Sequence, residues 1–189
     1  MFKFFKFLEI IICFQFFLIS TMIPVFIKVP FRNNLNIELP ITWQIPCIIL
    51  ISLIFKRRIL YIGFTSYVLV GLFLLPIFHQ GGSIGYLLTP NFGYLVGMYP
   101  LIKIINNLTK VTPIRTKEFI KGGILAILVM HITGIFYSFF QVFYYKQINL
   151  FLYNIGNYTF GKIGYHLLML LPIALVLKPI NYINSLKRK

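Results

Sequence analysis

HQGGSIGYLLTPNFGYLVGMYP, residues 79–100, decides how the rest of the chain is read. Five of the thirteen glycines (Gly81, Gly82, Gly85, Gly93 and Gly97) fall within it, Pro90 sits near its middle, and it holds no Lys, Arg, Asp or Glu. Long apolar runs lie on either side, so the chain breaks its helical pattern where it could have continued. Glycine admits positive φ and lets backbone groups approach a ligand or another helix without a Cβ between them. Non-helical backbone near membrane depth persists only where protein or a wet cavity covers its polar groups. The stretch is therefore expected to form the floor or lid of a solute pocket. Gly81, Gly82, Gly85, Tyr86, Asn91, Gly93 and Tyr94 are its candidate contacts.

Working outward, composition sets the class. The 189 residues are 59% hydrophobic and 18% aromatic, with a mean hydropathy of +0.86. That is too apolar for a soluble domain and leaves room for several bilayer spans of about 20 residues each. The net charge of +15 invites a nucleic-acid reading. The basic residues punctuate apolar runs instead of gathering on one soluble face, so a lipid bilayer is the expected partner and nucleic acid is excluded.

Six spans are expected, at about residues 7–27, 40–55, 59–78, 92–108, 122–144 and 163–177. The fold class is thus an all-α membrane protein, one domain over residues 1–189, with the glycine-rich segment an outer loop between helices 3 and 4. Pro40 is read as starting the second span and Gln44 as a polar side chain close to the bilayer that needs a partner. Gly93 and Gly97, four apart, have the spacing that lets helices approach closely in lipid. His131 sits mid-span, open to either a neighbouring carbonyl or a ligand. Residues 147–162 read as an aromatic loop, and Pro172 as a kink.

Charge orients the spans. With the N-terminus inside, Lys3, Lys6, residues 56–58, the five basic residues from Lys103 to Lys121, Lys178 and the tail at 187–189 fall on one side; Lys28, Arg32, Lys146 and Lys162 fall on the other. Fourteen against four is a strong positive-inside bias, and it turns the glycine-rich loop outward.

Enzyme chemistry finds no footing. The chain has no Asp, and Glu9, Glu38 and Glu118 lie in separate segments, so paired-carboxylate catalysis has no candidates. His79, His131 and His166 lack metal-ligand spacing, and Cys13 and Cys47 sit in apolar runs. GNYTFGK at residues 156–162 matches the start of a phosphate-binding loop, but Ile163 stands where Ser or Thr would hold magnesium. No cofactor is expected.

PITWQ (residues 40–44), the block LVGLFLLPIFHQGGSIGYLLTPNFGYLVGMYP (69–100) and HITGIFY (131–137) together resemble the BioY family, the biotin-binding membrane subunits of energy-coupling-factor transporters. The resemblance is in register over about residues 41–108 and looser elsewhere. It implies a six-helix fold that captures biotin, or a similar small solute, from outside and works with a transmembrane coupling subunit and ATPase subunits. Two departures touch the implied pocket. No acidic residue follows Glu118, where the family pattern has an acidic-then-Lys pair, and Phe92 replaces a glycine of the turn. Lys162 and His166, four apart, are the polar groups left at the last helix.

A biotin-like solute asks for neutral donors and acceptors around its ureido ring, which Gln44, Asn91 and the backbone of residues 81–85 could supply. Its aliphatic chain suits Tyr86, Leu88 and Tyr94, and its carboxylate suits Lys162. The same fold turned to another small solute, or a non-transport membrane scaffold, are the alternative readings. Abundant Phe, Ile, Lys, Asn and Tyr suit an AT-rich genome, pointing to a bacterial plasma membrane or a plastid membrane.

Overall fold

The computed structural model describes residues 2–28, 36–79, 81–111 and 113–186. Most of the connection expected at residues 28–39 and the tail at 187–189 lie outside the described residues, and so does Gln80. The chain is mostly helical. Its order is α1 (Phe2–Met22), β1 (Pro24–Lys28), β2 (Asn36–Thr42), α2 (Gln44–Ile54), α3 (Arg57–Phe73), a 3-10 turn (Ile84–Leu88), α4 (Pro90–Leu108) and α5 (Thr116–Tyr145). There follow α6 (Ile148–Asn154), a π-turn (Ile155–Phe160), α7 (Gly161–Leu168), α8 (Leu170–Leu175) and α9 (Leu177–Leu186). Phe4–Met22, Thr116–Tyr145 and Ile148–Leu175 are long and apolar enough to cross a membrane, and α2 is a shorter apolar helix.

The hairpin of β1 and β2 corrects the expected start of the second span. Pro40 lies in β2, and helix begins only at Gln44. Leu39 and Ile41 are buried and pack with Val25 and Met169, while Glu38 and Pro40 alternate with them as exposed residues, the period-2 pattern of a half-buried strand. Among the described residues the sheet has two strands, so Pro40 lies on an edge strand, where a proline is tolerated. The pairing sets Phe26 opposite Glu38 and Ile27 opposite Ile37.

α3 ends at Phe73 instead of continuing to residue 78, since Pro76 disfavours helical backbone just before it. Pro90 then opens α4 at the first helical position, where its missing N–H is not needed. The largest departure lies at residues 147–162, which form α6 and the π-turn instead of a loop. The last helical segment is interrupted at Met169. Pro172 explains this position, because its ring crowds the carbonyl four residues back, at Leu168.

The core is built by close approach of α4 and α5. A Cβ on Gly97 would fall 2.6 Å from the Met130 carbonyl oxygen and 3.0 Å from its Cα, so only glycine allows this crossing. Nearby, Tyr137 covers Gly93 and the Tyr94 ring lies on Gly134. α1 packs through a single face, with Cys13, Phe17, Ser20 and Thr21 buried while Phe4, Phe7, Phe16 and Ile19 point outward. Phe17 meets Phe64 edge-on at 5.1 Å, and Phe64 meets Tyr99 at 4.9 Å.

One end of the bundle is tied by amides. Asn106 donates to the carbonyls of Ser52 and Phe55, each at 2.9 Å, which satisfies backbone at the C-terminal end of α2. Asn184 donates to Leu53, and Asn181 both accepts from and donates to the Ile114 backbone.

Candidate functional site

At the other end, the hairpin, α2, α3, the segment after α3, α4, α5 and the π-turn with α7 line an open cavity of about 330 Å³. This is the lower end of the range for small-molecule sites. Its polar wall carries Glu38, Thr42, Gln44, His79, Asn91, Lys162 and His166, and its apolar wall includes Tyr67, Tyr86, Tyr94, Leu95, Met98, Met130 and Tyr158.

Each wall group has a local cause. Gln44 and Tyr67 are joined, the Gln44 amide donating to the Tyr67 hydroxyl at 3.4 Å, and that hydroxyl pairs with Thr21 at 3.0 Å. Tyr67 is wholly buried, so these bonds hold a polar tip that would otherwise be stranded. Phe78 packs between Tyr67 (5.3 Å) and Tyr86 (4.5 Å), so the chain after α3 folds back onto the cavity's rim. The 3-10 turn carrying Tyr86 is gripped from α5, where Tyr137 donates to the Leu87 carbonyl and Gln141 to the Leu88 carbonyl. Burial lifts the Tyr86 phenol above the usual tyrosine range, with Tyr67 and Tyr158 adding to it. His79 is held below the usual histidine range, first by burial of its ring and then by Lys162.

The π-turn aims the last helical segment. Thr159 and Tyr94 share a 2.7 Å hydroxyl bond, and Tyr158 packs against Tyr94 at 6.0 Å. The widened turn brings Tyr158, Lys162 and His166, at intervals of four, onto one wall. The Lys162 ammonium lies 5.0 Å above the Tyr158 ring. His166 meets His131 behind the wall, Nδ1 to Nε2 at 3.0 Å.

Of the residues singled out from sequence, Gln44, Tyr86, Asn91, Tyr94, Lys162 and His166 line the cavity. His131 lies one residue back, touching the cavity through His166. The glycines are placed elsewhere. Gly81 exchanges both backbone bonds with Phe78, at 2.8 and 3.0 Å, so its N–H is used within the chain. Gly82 packs on Pro76 and the Gly71 carbonyl, Gly85 is exposed beside Ser83, and Gly93 lies under Tyr137. They shape the segment that presents Tyr86 and Asn91.

Sequence reasoning missed Glu38, Tyr67, His79 and Tyr158. Tyr158 stands one helical repeat before Lys162, a signal hidden by reading that segment as loop. Glu38 is one of three acidic residues in the chain and reaches the cavity only because β2 packs over α7.

Three comparisons bear on this arrangement. Residues 3–178 match the family model described as the BioY family. The chain is 30% identical over 126 residues to the "Probable biotin transporter BioY" of Lysinibacillus sphaericus, a match covering 63% of this chain and 59% of that protein. In sequence it therefore spans under two thirds of that relative's length. The fold superimposes on the crystal structure of the S-component for biotin from an ECF-type ABC transporter with a TM-score of 0.65, at 17% identity, over 99% of this chain and 93% of the other. At that identity the likeness concerns the fold. With the family model matched over residues 3–178 of its 189, this chain belongs to the BioY family.

Proposed function

We propose that the chain is the solute-binding membrane subunit of a biotin uptake transporter. The observation that carries the reading is the cavity itself, which sets neutral amides (Gln44, Asn91), tyrosine rings and one lysine around a volume suited to a small solute. A ureido ring uses the amides, a valeryl chain lies on rings such as Tyr86 and Tyr94, and a carboxylate meets Lys162. The relatives are named for biotin transport, which selects biotin among solutes of that shape.

Six spans form one domain in this reading. α2, α3 and α4 are spans besides the three long apolar segments, with Ile148–Leu175 serving as the last. The glycine-rich connection and the cavity face outward, supported by the fourteen-to-four charge bias. A transmembrane coupling subunit and ATPase subunits complete the transporter, in a bacterial plasma membrane or a plastid membrane.

The test is equilibrium binding of labelled biotin to the detergent-purified chain, with Asn91→Ala as its partner measurement. Saturable binding that the substitution weakens tenfold or more, by about the value of a buried amide contact, supports the reading. A folded protein that binds no biotin removes it, and a screen of other vitamins then identifies the solute.

A further inference from the structure

The histidine pair sits where α5 and α7 meet at the cavity wall, with both rings buried. His131 is 1% exposed and His166 is 6% exposed, and their rings lie 5.2 Å apart. Nε2 of His131 faces Nδ1 of His166 at 3.0 Å, so in the neutral pair one proton lies between them. The other nitrogen of His131, Nδ1, is buried with no partner among the described residues. For His166 the remaining nitrogen is Nε2, on the residue that lines the cavity.

Two neutral arrangements are available. If His166 donated from Nδ1, His131 would carry its proton on Nδ1, stranding a buried N–H with no acceptor. If His131 donates from Nε2, only a lone pair is left bare at Nδ1. Orphaned buried N–H groups are the rarer of the two in folded proteins. The second arrangement puts the His166 proton on Nε2, the nitrogen left for the cavity. The Tyr94 ring stands edge-on to His131 at 5.6 Å and 75°, holding that imidazole in place. No hydrogen bond joins Lys162 to His166 among the described residues, and the Lys162 ammonium sits over Tyr158.

We infer that His131 is a positioning residue that locks His166 as an N–H donor, so that His166 and Lys162 together present two donors from one helix to a solute carboxylate. This rests on the reading of the cavity as a biotin site and adds to it a second donor for the carboxylate and the residue that orients it. Lys162 and His166 share a helix face, so one carboxylate can accept from both.

The experiment uses the full chain in lipid nanodiscs with ¹⁵N-labelled histidine. NMR is expected to show both His131 and His166 protonated at Nε2 and bare at Nδ1. Binding of biotin is compared with that of biotinol, in which the carboxyl is reduced to an alcohol. His131→Leu is expected to weaken biotin by about tenfold or more and biotinol by less than about threefold, the difference expected for losing a bond to a charged acceptor. His131→Gln, whose amide N–H₂ stands near the place of Nε2, restores most of the lost affinity. A His166 proton on Nδ1 in the wild-type protein overturns the inference whether or not biotin binds. Equal losses for biotin and biotinol overturn it too, by moving the contact off the carboxylate. A folded wild-type protein that binds neither compound fails the biotin reading, and the tautomer measurement still decides the donor assignment.

Discussion

Replacing Gly97 by alanine tests whether the α4–α5 crossing holds the cavity in shape. The added Cβ would meet the Met130 carbonyl oxygen at 2.6 Å and its Cα at 3.0 Å, against the 3.4 Å or more of an ordinary contact. Both are backbone atoms inside a helix, so neither can swing away, and the helices must part by several tenths of an ångström. Overpacking of this kind costs roughly 1–3 kcal/mol. Alanine returns up to about 1 kcal/mol of helix propensity relative to glycine. Two backbone atoms are met at once, which puts the strain in the upper part of that range, about 2–3 kcal/mol, so it wins by about 1–2 kcal/mol and lowers Tm by roughly 2–8 °C for a chain of this size. Gly164→Ala is the matched comparison, because no neighbouring atom of the described residues lies within 4 Å of its added Cβ, and its Tm should stay level or rise. The assay is thermal unfolding of both variants in one detergent. Biotin binding provides a second readout, since Met98 and Met130 line the cavity and would separate with the helices. Equal Tm values for the two variants would refute the argument that backbone contact at Gly97 sets the packing.

Asn106→Leu removes two donors at once and leaves the Ser52 and Phe55 carbonyls without them; stability should fall by about 2–3 kcal/mol, read as a lower Tm, with biotin affinity changed less than about threefold because the cavity lies at the other end of the bundle. Lys162→Met keeps the length of the side chain and removes its charge, so biotin should bind about tenfold or more weakly while biotinol is nearly unaffected. An equal loss for both ligands would instead place Lys162 in a packing role against Tyr158.

Much of the wall could be named in advance, for a physical reason. Gln44, Asn91, Lys162 and His166 are polar groups in or beside apolar segments, where each carries a large desolvation penalty and so must face a partner or a wet space. Such residues announce themselves without a structure. The glycines were harder to read. Their number marked the segment after α3 as special, yet whether a glycine faces a ligand or another helix depends on what lies opposite. For Gly82 that is Pro76, and for Gly93 it is Tyr137. Residues 147–162 misled through their asparagines, glycines and aromatics, which look like interfacial loop until Thr159 is seen bonded to Tyr94, sixty-five positions away.

By itself, the sequence determined that this chain lives in a membrane, where its main apolar helices run and which charges flank them. Each of these follows from transfer free energies that belong to single side chains and add along the chain. The tertiary structure alone decided that Leu39 and Ile41 pack as a strand over Met169, that Gly97 takes Met130 backbone against it, and that His131 meets His166 across thirty-five positions. Those contacts join segments distant in the chain, and their energies come from shape and hydrogen-bond geometry between pairs, which no single residue carries.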